Sequence, residues 1–151
     1  MKAKTIAGLA LAAFDAGSVV YLVISEVRSG GQGPPLDLPA DGVVVFYFHT
    51  NRHCPDCEKI RRYAREAIEA RFADALGSGR LWWRTANIEE KPHRHFAEAY
   101  HLVAAAVVVS ERRGGREVRA KDLDRVWDLR FDRDRFVQYV AEEVRPFLEG
   151  T

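Results

Sequence analysis

The chain has 151 residues, 47% hydrophobic and 11% aromatic, which is enough for the core of one domain and excludes wholesale disorder. Twenty-three lysines and arginines against 22 aspartates and glutamates leave a formal charge of +1, which excludes a nucleic-acid binder relying on bulk positive charge. Two cysteines cannot build a disulfide-dense scaffold or a four-cysteine zinc site, so the pair is either incidental or the centre of the chemistry.

Lys2 and Lys4 precede an apolar run from Ile6 to Ile24, interrupted by Asp15. At a rise of ~1.5 Å per residue that run reaches about 28 Å, near the ~30 Å thickness of a bilayer's hydrocarbon core. Residues 1–25 therefore read as an N-terminal hydrophobic helix that anchors the chain. The basic flank would stay in the cytoplasm, with the remainder on the periplasmic or extracytoplasmic side. A cleaved signal segment, with Ala16 and Ser18 in a small-residue cleavage pattern, and a buried soluble helix are the alternatives. Residues 26–42 read as a linker, from Ser29-Gly30-Gly31-Gln32-Gly33-Pro34-Pro35. Residues 1–25 carry two basic and one acidic side chain, so the rest is neutral overall.

Residues 43–151 read as the domain. Val43 to Phe48 is a continuous apolar run rich in β-branched and aromatic residues, the pattern of a strand buried on both faces. Cys54 to Leu76 reads as one helix, with Ile60, Ala64, Ala67, Ile68, Phe72 and Ala75 at three- and four-residue spacing, stopped by Gly77-Ser78-Gly79. Leu81 to Ile88 is a second strand. Pro92 opens a short helix to about His101, on which His93, His95 and His101 read as surface. Ala106 to Val109 is a third buried strand, and Gly114-Gly115 turns it back as a hairpin into Glu117–Ala120. Glu111 to Arg116 reads as nothing more than that turn.

Asp132 or Asp134 caps a last helix with an apolar face of Phe136, Val140, Val144, Phe147 and Leu148, and Pro146 should kink or loosen its final turn. The order β-α-β-α-β-β-α implies an α/β fold. A helical crossover makes the first two strands parallel, the last two pair as an antiparallel hairpin, and helices cover both faces of one mixed sheet.

Cys54-Pro55-Asp56-Cys57 falls where the first strand hands over to the first helix. There the unpaired amides and positive helix end stabilise a thiolate, lowering a cysteine pKa below its free value of ~8.5. Pro55 presets helical φ where a missing N–H costs little, and Cys57 meets Cys54 one turn further in. Asp56 is a tuning element: a carboxylate beside Cys54 opposes the thiolate, whereas His53 and Arg52 favour it if they face the sulfur. His49, at the strand end, is the nearest candidate base.

The element order, the Cys-Pro-x-Cys after the first core strand, Asn87-Ile88-Glu89 closing the second, and Tyr100-His101-Leu102-Val103 ahead of a buried strand together resemble the thioredoxin superfamily over residues 43–149. More narrowly, Tyr47-Phe48-His49 with Cys54-Pro55-Asp56-Cys57-Glu58-Lys59-Ile60, and Leu123-Asp124-Arg125-Val126-Trp127, are similar to the thioredoxin-like subunit of the nitrophenyl-compound nitroreductase (ArsF) family. The resemblance implies thiol–disulfide exchange, with Cys54 as attacking and Cys57 as resolving thiol. It also implies a protein redox partner, with a reductase subunit and an efflux permease as candidates.

Two departures stand out. Where thioredoxins carry a cis-proline before the third core strand, this chain has Val103-Ala104-Ala105-Ala106, so Ala104 and Ala105 occupy the substrate-docking stretch and a trans peptide is expected. The buried acid of the thioredoxin first strand has no counterpart in Val43–Phe48.

No G-x-G-x-x-G follows a strand, so no flavin or nicotinamide is expected, and the redox group would be the Cys54–Cys57 disulfide itself. No metal, and no nucleic acid, is assigned. A different class remains open: a binding module in which the same cysteines, with a nearby histidine, hold copper or a trivalent metalloid without turnover.

Overall fold

The computed structural model describes residues 35–150. Strand β1 (Gly42–His49) lies at the centre of a four-stranded sheet in the order β2-β1-β3-β4. It pairs in parallel with β2 (Leu81–Asn87) and antiparallel with β3 (Ala106–Arg113), which pairs antiparallel with the edge strand β4 (Arg116–Asp122). The expected mixed sheet, its parallel pair and its hairpin are all present.

The two-residue alternation of β1 divides its side chains between two cores. Val43, Val45 and Tyr47 point to one face, where they pack with Val107 and Val109 against Ile60, Ala64, Ala67 and Ile68 of helix α1 (Pro55–Arg71) and Phe136, Val140 and Val144 of the last helix. Val44, Phe46 and Phe48 point to the other, with Ala86, Ala106 and Val108, and meet Phe96 of the short helix α3 (Arg94–Ala99). The two faces explain the unbroken apolar run: every residue from Val43 to Phe48 is buried. Truncating Phe46 to alanine at this centre would cost about 3–5 kcal/mol.

Gly42 opens β1 at φ +118°, and a Cβ there would stand 3.0 Å from the Arg80 carbonyl oxygen, so this position requires glycine. The hairpin turn places Gly114 and Gly115 at φ +58° and +77°, the pair of positive values that fits the twist of the flanking strands.

Several expectations are corrected. The single helix expected from Cys54 to Leu76 is two, because Phe72 leaves helical geometry at φ −134° and turns its ring onto the core before α2 (Ala73–Gly77) begins. Beyond β2, Pro92 lies in a 3-10 turn, Lys91–His93, that precedes α3. His93 is not surface: it is buried, with Glu90 3.6 Å from its Nδ1. Glu111 is not a turn residue but a buried acid of β3, bonded by Arg113 and Arg119. The third strand accordingly runs to Arg113 rather than Val109.

A short helix α4 (Val126–Leu129), which the chain reading did not separate, precedes α5 (Arg133–Glu149). Asp132 is the N-cap of α5, accepting from Arg135 N at 3.1 Å, and Asp134 is not. The helix continues through Pro146 to Glu149, and Arg119 Nη2 donates to the Pro146 carbonyl.

Part of the stretch assigned to the linker lies on the sheet. Leu36 and Leu38 pack against the Phe46 core, Arg84 and Arg112 donate to the carbonyls of Asp37 and Pro39, and Asp41 accepts from Gly114 N. The expected N-terminal hydrophobic helix lies outside the described residues. Among the described residues no helix is long and apolar enough to cross a membrane.

Candidate redox site

Cys54 is the N-cap of α1, in extended geometry, and its sulfur accepts from Cys57 N at 3.2 Å. Pro55 occupies the first turn, where its absent N–H leaves no bond unmade. Cys54 and Cys57 are joined as a disulfide with Cα atoms 5.1 Å apart. The pair therefore stands at the positive end of a 17-residue helix, where reduction would place a thiolate on orphan amides.

The loop ahead of Cys54 is held by a polar clasp to the end of β2. Asn87 Nδ2 donates to Asn51 Oδ1 at 2.6 Å, Asn51 N donates to Glu89 Oε2 at 2.8 Å, and Glu89 N donates to Asn87 Oδ1 at 3.0 Å. Behind the cysteines, the buried Tyr47 hydroxyl donates to the Cys57 carbonyl at 2.9 Å. Burial, then the nearby Glu58 charge, pushes the Tyr47 pKa up to about 12, so it stays a donor at neutral pH.

A cleft of 680 Å³ opens over the disulfide. His49, His53, Cys54, Pro55, Cys57 and Ala105 line it together, with Asn51, Arg52, Thr85 and Asn87 completing its polar wall. His49 Nδ1 lies 3.2 Å from the Thr50 carbonyl oxygen, an arrangement that puts the neutral ring's proton on Nδ1 and leaves Nε2 to accept. His53 is exposed on the rim.

Ala105 is buried and its carbonyl accepts from Trp127 Nε1 at 2.9 Å, whereas Ala104 is exposed and does not line the cleft. All described peptides are trans, those of Val103 to Ala106 among them. Among the described residues no group of three or more His, Cys, Asp and Glu side chains gathers as a metal site.

Asp56 is turned into an ion-pair network. Lys59 Nζ donates to its Oδ1 at 3.0 Å and Arg130 Nε to its Oδ2 at 3.1 Å, and these two bonds, Lys59 first, hold its carboxyl below the usual range. Glu58 is held low chiefly by Arg61.

Three structural features around the cysteine pair are not legible in the sequence reading: the Arg130–Asp56 pair, the Trp127–Ala105 bond, and the Asn51–Asn87–Glu89 clasp. Of the clasp, only Asn87-Ile88-Glu89 at the end of β2 is visible as a local motif; its partner Asn51 lies 36 residues earlier.

Element order, strand order and the disulfide at the helix start define the class: a thioredoxin-like domain carrying a Cys-x-x-Cys pair. No protein-family model matches the chain, and no curated protein matches it. Among solved structures it is similar to a thioredoxin from Thermus thermophilus, at 18% identity and TM-score 0.42, over 67% of this chain and 72% of that one. It is also similar to thioredoxin f2 of Chlamydomonas reinhardtii, at 18% identity and TM-score 0.38, over 62% and 81%. Fasciola hepatica thioredoxin aligns at 15% identity and TM-score 0.36, over 75% and 90%.

Proposed function

We propose that the protein is a thiol–disulfide oxidoreductase in which Cys54 and Cys57 are the redox group. The observation that carries this is the disulfide at the N-terminus of α1, opening onto a cleft. In the reduced protein the Cys54 thiolate attacks a partner disulfide, forming one S–S bond and expelling a partner thiolate that takes up a proton. Cys57 then attacks the Cys54 sulfur, closing Cys54–Cys57 and releasing the second partner thiol, so two electrons pass to the partner. A dithiol donor reverses the sequence on the protein itself. Trp127 holds the Ala105 carbonyl on the cleft wall, with the exposed Ala104 next to it in the chain.

In the narrower form of this reading the domain is tethered by residues 1–25 on the extracytoplasmic face. There it passes electrons to a reductase subunit that acts on nitroaromatic arsenicals beside an efflux permease. The Lys2/Lys4-flanked apolar run and the two ArsF-like sequence blocks support that form.

The test is a thiol-redox titration of the purified protein with mass readout. A reversible two-electron transition near about −270 mV supports an electron donor, and one near about −120 mV supports a disulfide-forming oxidant. No reversible couple, with tight retention of a soft metal ion, overturns the reading in favour of a binding module.

A further inference from the structure

Asp56 sits inside the Cys54–Cys57 motif, where a bare carboxylate would oppose the thiolate that the helix end favours. Both its oxygens are occupied. Lys59, one turn along the same helix, takes Oδ1, and Arg130, 74 residues away in sequence, takes Oδ2. Arg130 is itself fixed on three sides: it donates to the Trp127 carbonyl, lies 4.1 Å from the Phe131 ring centroid, and keeps only about a quarter of its side chain exposed. Lys59 lies over the same Phe131 ring at 5.3 Å. Trp127 in turn bonds Ala105 on the cleft wall, so one guanidinium joins the motif to the loop that faces it. A mobile surface arginine would need none of these supports.

We propose that Arg130 is a positioning residue for the cysteine pair, compensating the charge of Asp56 so that the helix N-terminus, and not the carboxylate, sets the stability of the Cys54 thiolate. The proposal rests on the thiol–disulfide reading above. It gives the two residues opposite signs. Arg130→Met leaves the carboxylate undercompensated, destabilises the reduced thiolate form and makes the couple more reducing. Asp56→Asn removes the opposing charge and makes it more oxidising. The remaining charged and titratable groups near the motif, Lys59 on Asp56, Glu58 with Arg61, Arg52, His53 and His49, are unchanged in every variant.

The experiment measures, on the full-length protein, the equilibrium with glutathione and the pH midpoint of Cys54 alkylation for wild type, Arg130→Met, Arg130→Lys and Asp56→Asn. The equilibrium constant is expected to move about threefold in opposite directions for Arg130→Met and Asp56→Asn, the size one surface charge a helical turn away exerts in a high dielectric. At 29.6 mV per tenfold, threefold is about 14 mV. The alkylation midpoint should rise in Arg130→Met and fall in Asp56→Asn, while Arg130→Lys, which keeps a cation on Asp56, stays near wild type.

Shifts of the same sign in Arg130→Met and Asp56→Asn, or no shift in Arg130→Met, overturn the proposal, as does Arg130→Lys matching Arg130→Met. Loss of a reversible couple in the wild type itself would instead overturn the functional reading.

Discussion

The Tyr47 hydroxyl donates to the Cys57 carbonyl across 2.9 Å, tying the central strand to the first turn of the helix that carries the cysteine pair. The bond closes a ten-residue stretch of chain between two consecutive elements that also share a core, and it holds the backbone of the resolving cysteine. Tyr47→Phe removes it and leaves a carbonyl without that donor, so stability should fall by about 1 kcal/mol.

The same tyrosine gives an alkaline signature. Its pKa rises from 10.0 in the unfolded chain to about 12 in the fold. The folded state therefore holds a proton that the unfolded state has lost, and the contribution is complete below pH 10 and lost as pH rises through 12. Tyr139 shifts in the same direction, also chiefly through burial. Urea unfolding at pH 9 and pH 11.5 should show wild type losing stability over that interval and Tyr47→Phe losing less. Equal slopes would mean that Tyr47 does not titrate as its surroundings dictate.

Cys57→Ser should accumulate a disulfide-linked adduct through Cys54 when mixed with a disulfide-bearing peptide, because the resolving thiol is gone. The adduct should release on reduction, and Cys54→Ser should form none. Intact-mass spectrometry reads the outcome directly. Failure of Cys57→Ser to form any adduct would remove Cys54 as the attacking thiol.

Glu111 is buried in β3, yet its carboxyl is held below the usual range. Burial pushes its pKa up, and the hydrogen bonds and charges of Arg119 and Arg113 outweigh that. Those arginines also donate to the carbonyls of Pro146 and Gly150, so the acid anchors the hairpin to the end of α5. Glu111→Gln should cost about 1–3 kcal/mol at pH 7, since a charge-assisted pair is replaced by a weaker amide. A depressed carboxylate contributes stability above its unfolded pKa and loses it as pH falls through the folded one. The gap between wild type and Glu111→Gln in urea unfolding should therefore narrow as pH falls below 4.5, the unfolded value. A gap independent of pH would assign Glu111 a packing role only.

Asp132 caps α5 by accepting from Arg135 N, and Asp132→Ala should lower stability by about 1 kcal/mol, some 4 °C in Tm. Asp134→Ala, outside the cap, should change Tm by far less. Differential scanning calorimetry of the two variants distinguishes them, and equal losses would argue against the cap.

What the sequence by itself determined about this protein is what lies within one or two turns of chain. The apolar run of Val43–Phe48 announced a strand buried on both faces, Gly114-Gly115 a hairpin, and Cys54-Pro55 a helix start with the cysteines on its positive end. Each rests on local sterics, local amides or a short period, which neighbouring residues supply.

The tertiary structure decided the rest. Arg130, at the end of α4, reaches Asp56 across 74 positions of sequence, and nothing in the spacing of the two residues announces it. Glu111 and His93 look like surface residues in sequence because charge and polarity argue for solvent, until strand pairing and packing enclose them. Phe72 carries the helical period yet leaves helical geometry, with its ring packed against the core and its N–H still bonded to the Ile68 carbonyl. Burial and long-range pairing depend on which distant elements arrive, and that information is held by the assembled sheet and its two cores.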